Sequence, residues 1–511
     1  MLWRFSVNLP WNDDAIFMFY AYRRLLPEIT WMQFVTDTFA RHVDHLVAVP
    51  HLLVLVLSKF TGQLNFKAVV VAGNLSLGAS LVLLFRSFRK TGLSPWYFVP
   101  ASLLLCTPVH WEDSLWPLCV LQHNLLVFWV LLSMYCLEKP GRRYFIAAVL
   151  TGVLCIFSSG NGFLVLFPGM VMLASQRRFR ALGIWIAALA VSMVPYFINY
   201  KPSEATHVGD SLSDPVRFVQ YILVFLGGNL SVNFMTRPLI LGFFMTAVWL
   251  AATVRAFRNN TFSVAWCGLL FLMMTAAIIA LSRSWIGIAV VGRYQIYASY
   301  ALVMTYLLLL DLVKDFRKRI WVIAPVAASA VLFAAFAWFS YWPVISFRQQ
   351  LLTAEIRNWT QNGFFLNVPN DENSAIRRFY PYLLESGFYS FPEIALPPLD
   401  AHTHQTDPLP DSLLSYRIEN TYLGRVLIAD IRGVDQNQEP AYLVLSGKET
   451  VFVPLRSMPN NKLAFVRTGR PFAQDVSSRV IIEPLTDGDY RLGLAQSGQV
   501  RWFGGLLRKS Q

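Results

Sequence analysis

The sequence predicts a polytopic α-helical membrane protein of about 10–11 spans, followed by a C-terminal mainly-β domain outside the cytoplasm. Three observations predict this fold class. The 511 residues are 55% hydrophobic and only 14% charged, whereas soluble proteins carry about 25% charged residues. Apolar runs approaching the roughly 20 residues of a membrane helix recur up to residue 341. After residue 342 the chain becomes polar, then proline-rich around 392–410, and finally strand-like.

Ten apolar runs are predicted to span the bilayer, and several are shorter than about 20 residues. They are 66–85, 96–110, 116–136, 143–158, 161–175, 181–199, 238–255, 262–281, 290–310 and 320–341. Basic clusters separate them at 86–90, 138–143, 176–180, 255–260 and 314–319. The positive-inside rule places these clusters in the cytoplasm. The chain must therefore cross the membrane an even number of times between two successive clusters. Between 180 and 255 the runs 181–199 and 238–255 already supply two crossings, so 216–232 is predicted to be an interfacial or re-entrant helix on the outer side.

Counting membrane crossings back from the cytoplasmic cluster 86–90 predicts that residues 1–65 form an outer loop. This loop contains an acid pair and membrane-lying helices. The run 45–60 decides this, because a span there would place the acids in the cytoplasm. It is short and carries His45, Pro50 and His51 in its first half, which favours an interfacial helix. The chain then starts outside with no preceding span, which leaves open a first span upstream of residue 1.

Three further regions follow the outer loop. A transmembrane helical domain covers 66–342, an extracytoplasmic helix and loop connector covers 343–420, and a β-sandwich-like domain covers 421–511. Short β-rich runs separated by turn formers predict the strands of this last domain. They lie at 425–431, 441–447, 450–455, 463–468, 479–485 and 490–496.

The net charge of +13 comes from clusters between apolar runs. The sequence shows no basic stripe with interleaved aromatic residues, so a nucleic-acid partner is not expected. The partner that the composition does predict is the lipid bilayer.

The stretch "WNDDAIFMFY" places Asp13 and Asp14 between a tryptophan and an apolar run. One interpretation is structural: Asn12 or Asp13 caps a helix that begins at residue 15. The other is chemical, because a carboxylate beside a membrane is costly and usually functional. The two interpretations are compatible, since one acid can cap the helix while its neighbour faces a substrate.

This Trp-Asn-Asp-Asp motif, in the first outer loop of a chain with about ten to eleven spans, resembles the GT-C-type membrane glycosyltransferases. Phage serotype-converting glucosyltransferases and pilin or cell-wall arabinosyltransferases belong to that group. The resemblance implies a sugar donor on polyprenyl phosphate, with Asp13 or Asp14 as the general base. It implies an acceptor that is O-antigen, another envelope glycan or a protein such as pilin. It also implies a bacterial inner membrane, with the site and the C-terminal domain on the periplasmic side.

The chemistry of glycosyl transfer predicts further site residues. A hydroxyl that attacks an anomeric carbon needs a base, and a nearby cation stabilises the leaving phosphate. Arg283 and Arg293, with Tyr294, lie in an outer loop where a lipid phosphate would sit. The alternative for these arginines is anchoring at the interface by snorkelling.

Two outer clusters have the composition of a carbohydrate site, in which acids bind hydroxyls and tryptophan stacks on sugar rings. Their members are His42, Asp44 and His45, and His110, Glu112, Asp113, Trp116 and His123. Ordinary outer-loop polarity is the alternative. The spacing of the first cluster matches no metal signature, so no cofactor is predicted with certainty and a divalent cation stays open.

Three other functions are alternatives to sugar transfer. A transporter or flippase for a lipid-linked sugar predicts ionisable residues inside the spans, and the apolar runs hold almost none. A glycan polymerase or ligase depends on a large later outer loop, whereas the later loops before the tail are short here. A non-catalytic scaffold that displays the β domain would leave the acid pair idle.

Overall fold

The computed structural model describes residues 1–42, 45–198, 200, 206–230, 235–313, 320–368, 370–393, 408–421, 424–437 and 439–509. The chain is 65% helical, with a C-terminal β-sheet region. Within the described residues, seven helices are long and apolar enough to cross a membrane, judged by length and composition. The prediction of a helical membrane protein with a C-terminal β region is confirmed at this level.

The α-helices of the described residues are α1 (Leu2–Phe5), α2 (Ala15–Leu25), α3 (Trp31–Thr38), α4 (Ala48–Thr61), α5 (Phe66–Arg89), α6 (Val99–Leu105), α7 (Trp111–Leu115), α8 (Pro117–Gln122), α9 (Asn124–Leu137), α10 (Arg142–Ile156), α11 (Leu166–Ser175), α12 (Phe179–Phe197), α13 (Val208–Leu212), α14 (Pro215–Leu226), α15 (Thr236–Asn259), α16 (Val264–Arg283), α17 (Gln295–Leu312), α18 (Ile320–Asn362), α19 (Asn370–Glu385) and α20 (Lys462–Thr468). Single 3-10 turns lie at Asn12–Asp14, Pro95–Phe98, Pro108–His110, Gly162–Val165, Gly228–Leu230, Ser284–Ile286, Gly292–Tyr294 and Asp411–Leu413.

Seven of the ten predicted spans coincide with the long apolar helices. These are Phe66–Arg89, Pro117–Leu137, Phe179–Phe197, Thr236–Asn259, Val264–Ile286, Gly292–Leu312 and Ala324–Asn362. The other three predicted spans are shorter helices. The run 96–110 breaks into the seven-residue α6 and two 3-10 turns, Pro95–Phe98 and Pro108–His110, because Pro108 disfavours helix in the residue before it. The runs 143–158 and 161–175 become α10, with 15 residues, and Gly162–Ser175.

The two runs predicted to lie along the membrane also form short helices. Helix α4 has 14 residues and α14 has 12, fewer than the roughly 20 that cross a bilayer. Leu52, Val56 and Phe60 are exposed on α4, and their spacing of four residues places them on one helix face. Such an apolar stripe on an amphipathic helix suits an interfacial position.

Helices α14 and α15 cross with their backbones in close contact. A Cβ atom added at Gly242 would lie 1.9 Å from the carbonyl oxygen of Leu223, and one at Gly227 would lie 2.0 Å from that of Pro238. Neither carbonyl can move without displacing its helix. Small residues at such a crossing let two membrane helices approach.

We therefore expect Gly242→Ala to destabilise the helical region by about 1–3 kcal/mol, since overpacking forces the two backbones apart. The measurement is thermal unfolding of the purified protein in detergent. Gly78→Ala is the matched control, because a Cβ atom at that helical glycine meets nothing within 4 Å. Equal melting temperatures for the two variants would contradict the crossing.

Helix α18 connects the helical region to the β region. It continues over 43 residues without a break, so the predicted boundary at 343 falls inside it. Its C-terminal end is fixed to the β region by hydrogen bonds: Asn358 Nδ2 donates to the Phe452 carbonyl at 3.0 Å, and Phe452 N donates to Asn358 Oδ1 at 2.8 Å. Asn362 Nδ2 donates to the Thr450 carbonyl at 2.9 Å.

The strands of the described residues are β1 (Arg41–His42), β2 (His45–Leu46), β3 (Leu414–Thr421), β4 (Gly424–Arg432), β5 (Tyr442–Ser446), β6 (Thr450–Pro454), β7 (Arg456–Pro459), β8 (Phe472–Ile481), β9 (Gly488–Gln496) and β10 (Gln499–Lys509). The last eight form two antiparallel sheets, with strand orders β10-β9-β5-β6 and β3-β4-β8-β7. One buried cluster joins the inner faces, with Leu427 and Val480 from one sheet and Leu443 and Leu494 from the other.

The predicted strands at 425–431, 441–447, 450–455 and 490–496 are confirmed as β4, β5, β6 and β9. The strand predicted over 463–468 is wrong. This segment is helix α20, which Asn461 caps by accepting a hydrogen bond from Leu463 N, and Gly469 ends it at a φ of 66°. The strand predicted at 479–485 lies mainly beyond the end of β8 at Ile481.

Candidate functional site

The residues of the predicted site come from distant parts of the chain, and most of them meet at one place. The 3-10 turn Asn12–Asp14, helix α7, the start of α9, the turn Gly292–Tyr294 and the middle of α18 contribute to it. We call this group the acid–arginine cluster. Its members are Asp13, Asp14, Glu112, Asp113, Trp116, His123, Arg293, Tyr294 and Arg348, with His42 at its edge.

The two adjacent acids have different environments. Helix α2 begins at Ala15, as the sequence predicts, but the side chain of Asp14 at its N-cap position makes no capping hydrogen bond. Instead, Asp14 is fully buried and accepts two backbone hydrogen bonds. Trp11 N donates to Oδ2 at 3.0 Å, and Leu118 N donates to Oδ1 at 2.8 Å. Asp14 therefore connects the 3-10 turn Asn12–Asp14 to the start of α8.

Burial raises the pKa of Asp14 to about 8, against the two amide hydrogen bonds and the charge of Arg348, which lower it. The folded pKa lies above the unfolded value of 3.8. The stability that this shift contributes is therefore present below pH 3.8 and is lost as the pH rises through about 8.

We expect Asp14→Ala to lower the free energy of unfolding by about 2–4 kcal/mol, because two buried amides lose their acceptor. Because the contribution of the raised pKa is lost as the pH rises, the difference in free energy of unfolding between wild type and Asp14→Ala should shrink from about pH 6 to about pH 9. Thermal unfolding across that range is the measurement. Asp13→Ala is the control and should change stability by about 0.5 kcal/mol or less, since its side chain is half-exposed. Equal effects of the two variants would contradict the anchoring role.

Asp13 faces outward. Its side chain is 49% exposed, and its Oδ2 lies 3.6 Å from Nε2 of His42. The side-chain contact with His42 is the main cause that lowers the pKa of Asp13 below 3.8, and the charge of Arg293 lowers it further, while partial burial opposes both. Asp13 is thus an accessible carboxylate that is ionised at neutral pH.

Asp113 and His123 form a buried pair behind this carboxylate. His123 Nδ1 lies 2.7 Å from Asp113 Oδ1, so the ring nitrogen donates a hydrogen bond to the carboxylate oxygen. The ring of His123 packs between Tyr294 and Tyr297, with centroids 5.6 and 5.1 Å away. This arrangement fixes the ring orientation of His123.

Two aromatic rings lie beside Arg293, and the glycine before it leaves room for the carboxylate of Glu112. Its guanidinium lies 5.6 Å from the ring centre of Trp116 and 5.5 Å from that of Tyr294. The carboxylate of Glu112 fills the space beside Gly292, since a Cβ atom there would lie 2.1 Å from Oε2. Burial raises the pKa of Glu112, and the charge of Arg293 opposes that rise. Glu112 and Arg293 are therefore electrostatically coupled.

Three tryptophans form an aromatic wall beside the acids. The rings of Trp11 and Trp111 stack with centroids 6.1 Å apart, and Trp11 lies 5.3 Å from Trp116. Trp116 is buried, whereas Trp11 and Trp111 are partly exposed. An exposed indole face is a surface on which a planar or ring-shaped ligand can stack.

Arg348 is the site residue that the sequence analysis missed. It lies on α18 and is 4% exposed. Its Nη2 donates to the Leu115 carbonyl at 2.9 Å, and its guanidinium lies 4.2 Å from the ring centre of Trp11. Its Nε and Nη1 have no hydrogen-bond partner among the described residues. An arginine directly after the last apolar run, in "WPVISFR", could have indicated it, but the boundary at 343 assigned it to the connector.

Four predicted residues lie elsewhere or outside the described residues. Both ring nitrogens of His110 are used internally, since Nδ1 lies 2.8 Å from Ser114 Oγ and Nε2 lies 2.9 Å from the Leu105 carbonyl. His45 lies against Gly160, where a Cβ atom would be 2.3 Å from its Nδ1. Arg283 is the last residue of α16, and both it and Arg293 lie within electrostatic reach of Tyr221. Asp44 lies outside the described residues.

A divalent cation at His42, Asp44 and His45 stays a prediction, because Asp44 is not described. In the part of the chain that is described, no group of three or more His, Cys, Asp or Glu side chains is arranged to hold a metal ion.

No family model, curated protein or solved structure matches the chain. A proposal about function therefore rests on the fold and on this site. The class that the structure defines is a mostly helical, membrane-embedded protein. Within its described residues, seven helices of spanning length precede a C-terminal β-sheet region.

Proposed function

We propose that this protein is a glycosyltransferase that moves a sugar from a polyprenyl-phosphate donor to a hydroxyl of an extracytoplasmic acceptor. The acceptor is O-antigen, another envelope glycan or a protein such as pilin. The observation that carries the proposal is that the two adjacent acids have different environments. Asp14 is buried and holds two backbone amides, while Asp13 is exposed, ionised and in the electrostatic reach of Arg293.

Asp13 is the general base of this proposal. Its carboxylate accepts the proton of the acceptor hydroxyl as the oxygen attacks the anomeric carbon. The bond between that carbon and the phosphate oxygen breaks, and its electron pair leaves with the polyprenyl phosphate. A single displacement inverts the anomeric configuration. No general acid is required, because the leaving group is already a phosphate. His42, 3.6 Å from Asp13, orients the carboxylate.

Arg293 provides the positive charge for the leaving phosphate. Its guanidinium lies over the rings of Trp116 and Tyr294, and Glu112 is the acid coupled to its charge. A preorganised cation of this kind stabilises the charge that develops in the transition state without reorganising. The exposed faces of Trp11 and Trp111 suit stacking on a sugar ring.

The proposal includes a GT-C-like arrangement of about 10–11 spans in a bacterial inner membrane. The acid–arginine cluster and the β region then lie on the periplasmic side. The basic clusters between apolar runs and the apolar stripe on α4 support this orientation. Helices α6, α10 and α11 would complete the spans together with their flanking turns.

The experiment compares the envelope glycans and glycoproteins of host cells with and without this protein, by mass spectrometry. The expected result is one added sugar mass on a defined glycan or protein that is present only with the protein. Purified protein should then transfer the same sugar from its polyprenyl phosphate to that acceptor. A lipid-linked sugar that accumulates on one membrane face, with no transfer by purified protein, would instead identify a flippase and overturn the proposal.

A further inference from the structure

A second site lies beside the acid–arginine cluster but is separate from it. A cavity of about 530 Å³ is lined by residues of α2 and α4, by Phe34 of α3 and by Phe388. Most of its wall is apolar, including Phe17, Val54 and Leu64. The residues of the acid–arginine cluster do not line it.

The charged groups of the cavity wall are both positive. Arg24 and Lys59 line it, and no carboxylate does. Arg24 lies over the ring of Phe34 at 5.2 Å, and its Nη2 donates to Thr38 Oγ1 at 3.4 Å. Its buried Nε has no hydrogen-bond partner among the described residues. The nearby acid, Asp37, forms an ion pair with Arg23 at 2.9 Å and also attracts Arg24, but it is not part of the cavity wall.

His51 adds a hydrogen-bond acceptor to the wall. Its Nδ1 lies 3.2 Å from the Thr38 carbonyl oxygen, which can only accept, so Nδ1 carries the proton. The ring is 1% exposed, and burial lowers the pKa of His51 to about 4. Nε2 is therefore unprotonated, and it has no partner in the described part of the chain. An occupant with a hydroxyl group would satisfy it.

The surface around the cavity is apolar. Leu52, Val56 and Phe60 of α4 are exposed, as are Trp31 and Met32 of α3. Large exposed apolar patches on membrane-lying helices are contacts with lipid. The occupant that this environment supplies is an amphiphile from the bilayer.

We propose that this cavity binds an anionic glycerophospholipid. Its phosphate pairs with Arg24 and Lys59, a headgroup hydroxyl donates to His51 Nε2, and one acyl chain lies along the apolar wall. Charge complementarity carries the assignment, since the wall presents two cations, no acid and a neutral acceptor. The site is independent of the sugar chemistry at Asp13.

The test uses the purified full chain in neutral detergent and measures binding of oleoyl lysophosphatidylglycerol by native mass spectrometry. Wild type should retain this lipid, and Arg24→Gln should weaken binding by about tenfold or more, as expected for loss of a charge-assisted contact. Lys59→Gln, at an exposed position that tolerates change, is the second variant and should also weaken binding. Arg180→Gln is the matched control, because it removes one exposed cation that does not line the cavity.

Two comparison ligands and a labelling experiment make the test specific. Monoolein has the same chain without the phosphate, and farnesyl phosphate has a phosphate without the glycerol hydroxyls. Both should bind more weakly than the lysolipid. A photoreactive acyl chain should label α2 or α4. Equal binding of monoolein, tighter binding of farnesyl phosphate, labelling confined to other helices, or retention unchanged in both cavity variants would each overturn the proposal.

Discussion

Asp13→Asn is expected to reduce sugar transfer by about 10²–10⁴-fold, the range that general-base catalysis contributes. The amide keeps the size of the side chain but cannot accept the proton of the acceptor hydroxyl. Folding should be unaffected, because Asp13 is half-exposed and makes no backbone anchor. The measurement is kcat of purified protein with polyprenyl-phosphate sugar and acceptor, at matched protein concentration.

Glu28→Gln is the matched control for Asp13→Asn. Glu28 is an exposed acid of the same N-terminal segment and lies outside the acid–arginine cluster, so its amide variant should keep wild-type activity. If Asp13→Asn retains more than half of the wild-type rate while Glu28→Gln is normal, Asp13 is not the base.

The pH dependence tests the same role through the charge of Asp13. Because His42 and Arg293 lower the pKa of Asp13 below 3.8, the acidic limb of kcat/KM should lie below pH 3.8. His42→Ala should move that limb upward, since the main stabilising contact of the ionised form is lost. If the acidic limb of the kcat/KM profile does not move in His42→Ala, a group other than Asp13 limits kcat/KM at low pH.

Arg293→Gln is expected to reduce kcat by about 10²–10³-fold, the cost of removing one preorganised stabiliser of developing charge. The loss should appear mainly in kcat, because the extra charge on the phosphate exists only as the bond breaks. Arg293→Lys should recover part of the rate, since it keeps the charge but not the planar contact with Trp116. Steady-state kinetics with the same donor and acceptor measure these effects.

Arg283→Gln provides the comparison within the site prediction, and Arg180→Gln the control outside it. The structure places Arg293, but not Arg283, over Trp116. We therefore expect a smaller loss for Arg283→Gln and none for Arg180→Gln. If Arg293→Gln behaves like Arg180→Gln, the leaving phosphate is stabilised by another group, and the assignment of Arg293 is wrong.

Much of the fold could be predicted from local patterns. A membrane helix is apolar along its whole length, and seven of the ten runs that met this criterion are helices of spanning length. Alternating runs bounded by turn formers indicated four strands correctly. The segment 463–468 misled this reasoning because apolar residues over six positions fit a strand or a short helix, and the Asn461 cap and Gly469 stop decide for helix.

Composition and hydropathy were sufficient to predict a helical membrane protein with a C-terminal β-sheet region, and the positions of the charged residues singled out the acid pair and Arg293. The different environments of Asp13 and Asp14 follow from tertiary contacts, because one of the two amides that bind Asp14 belongs to Leu118, 104 residues away. The same holds for Arg348, whose partners lie 233 or more residues earlier in the chain. Hydropathy is a local property of a segment, whereas burial, pairing and charge depend on which distant segments meet, and those contacts form only when the helices pack.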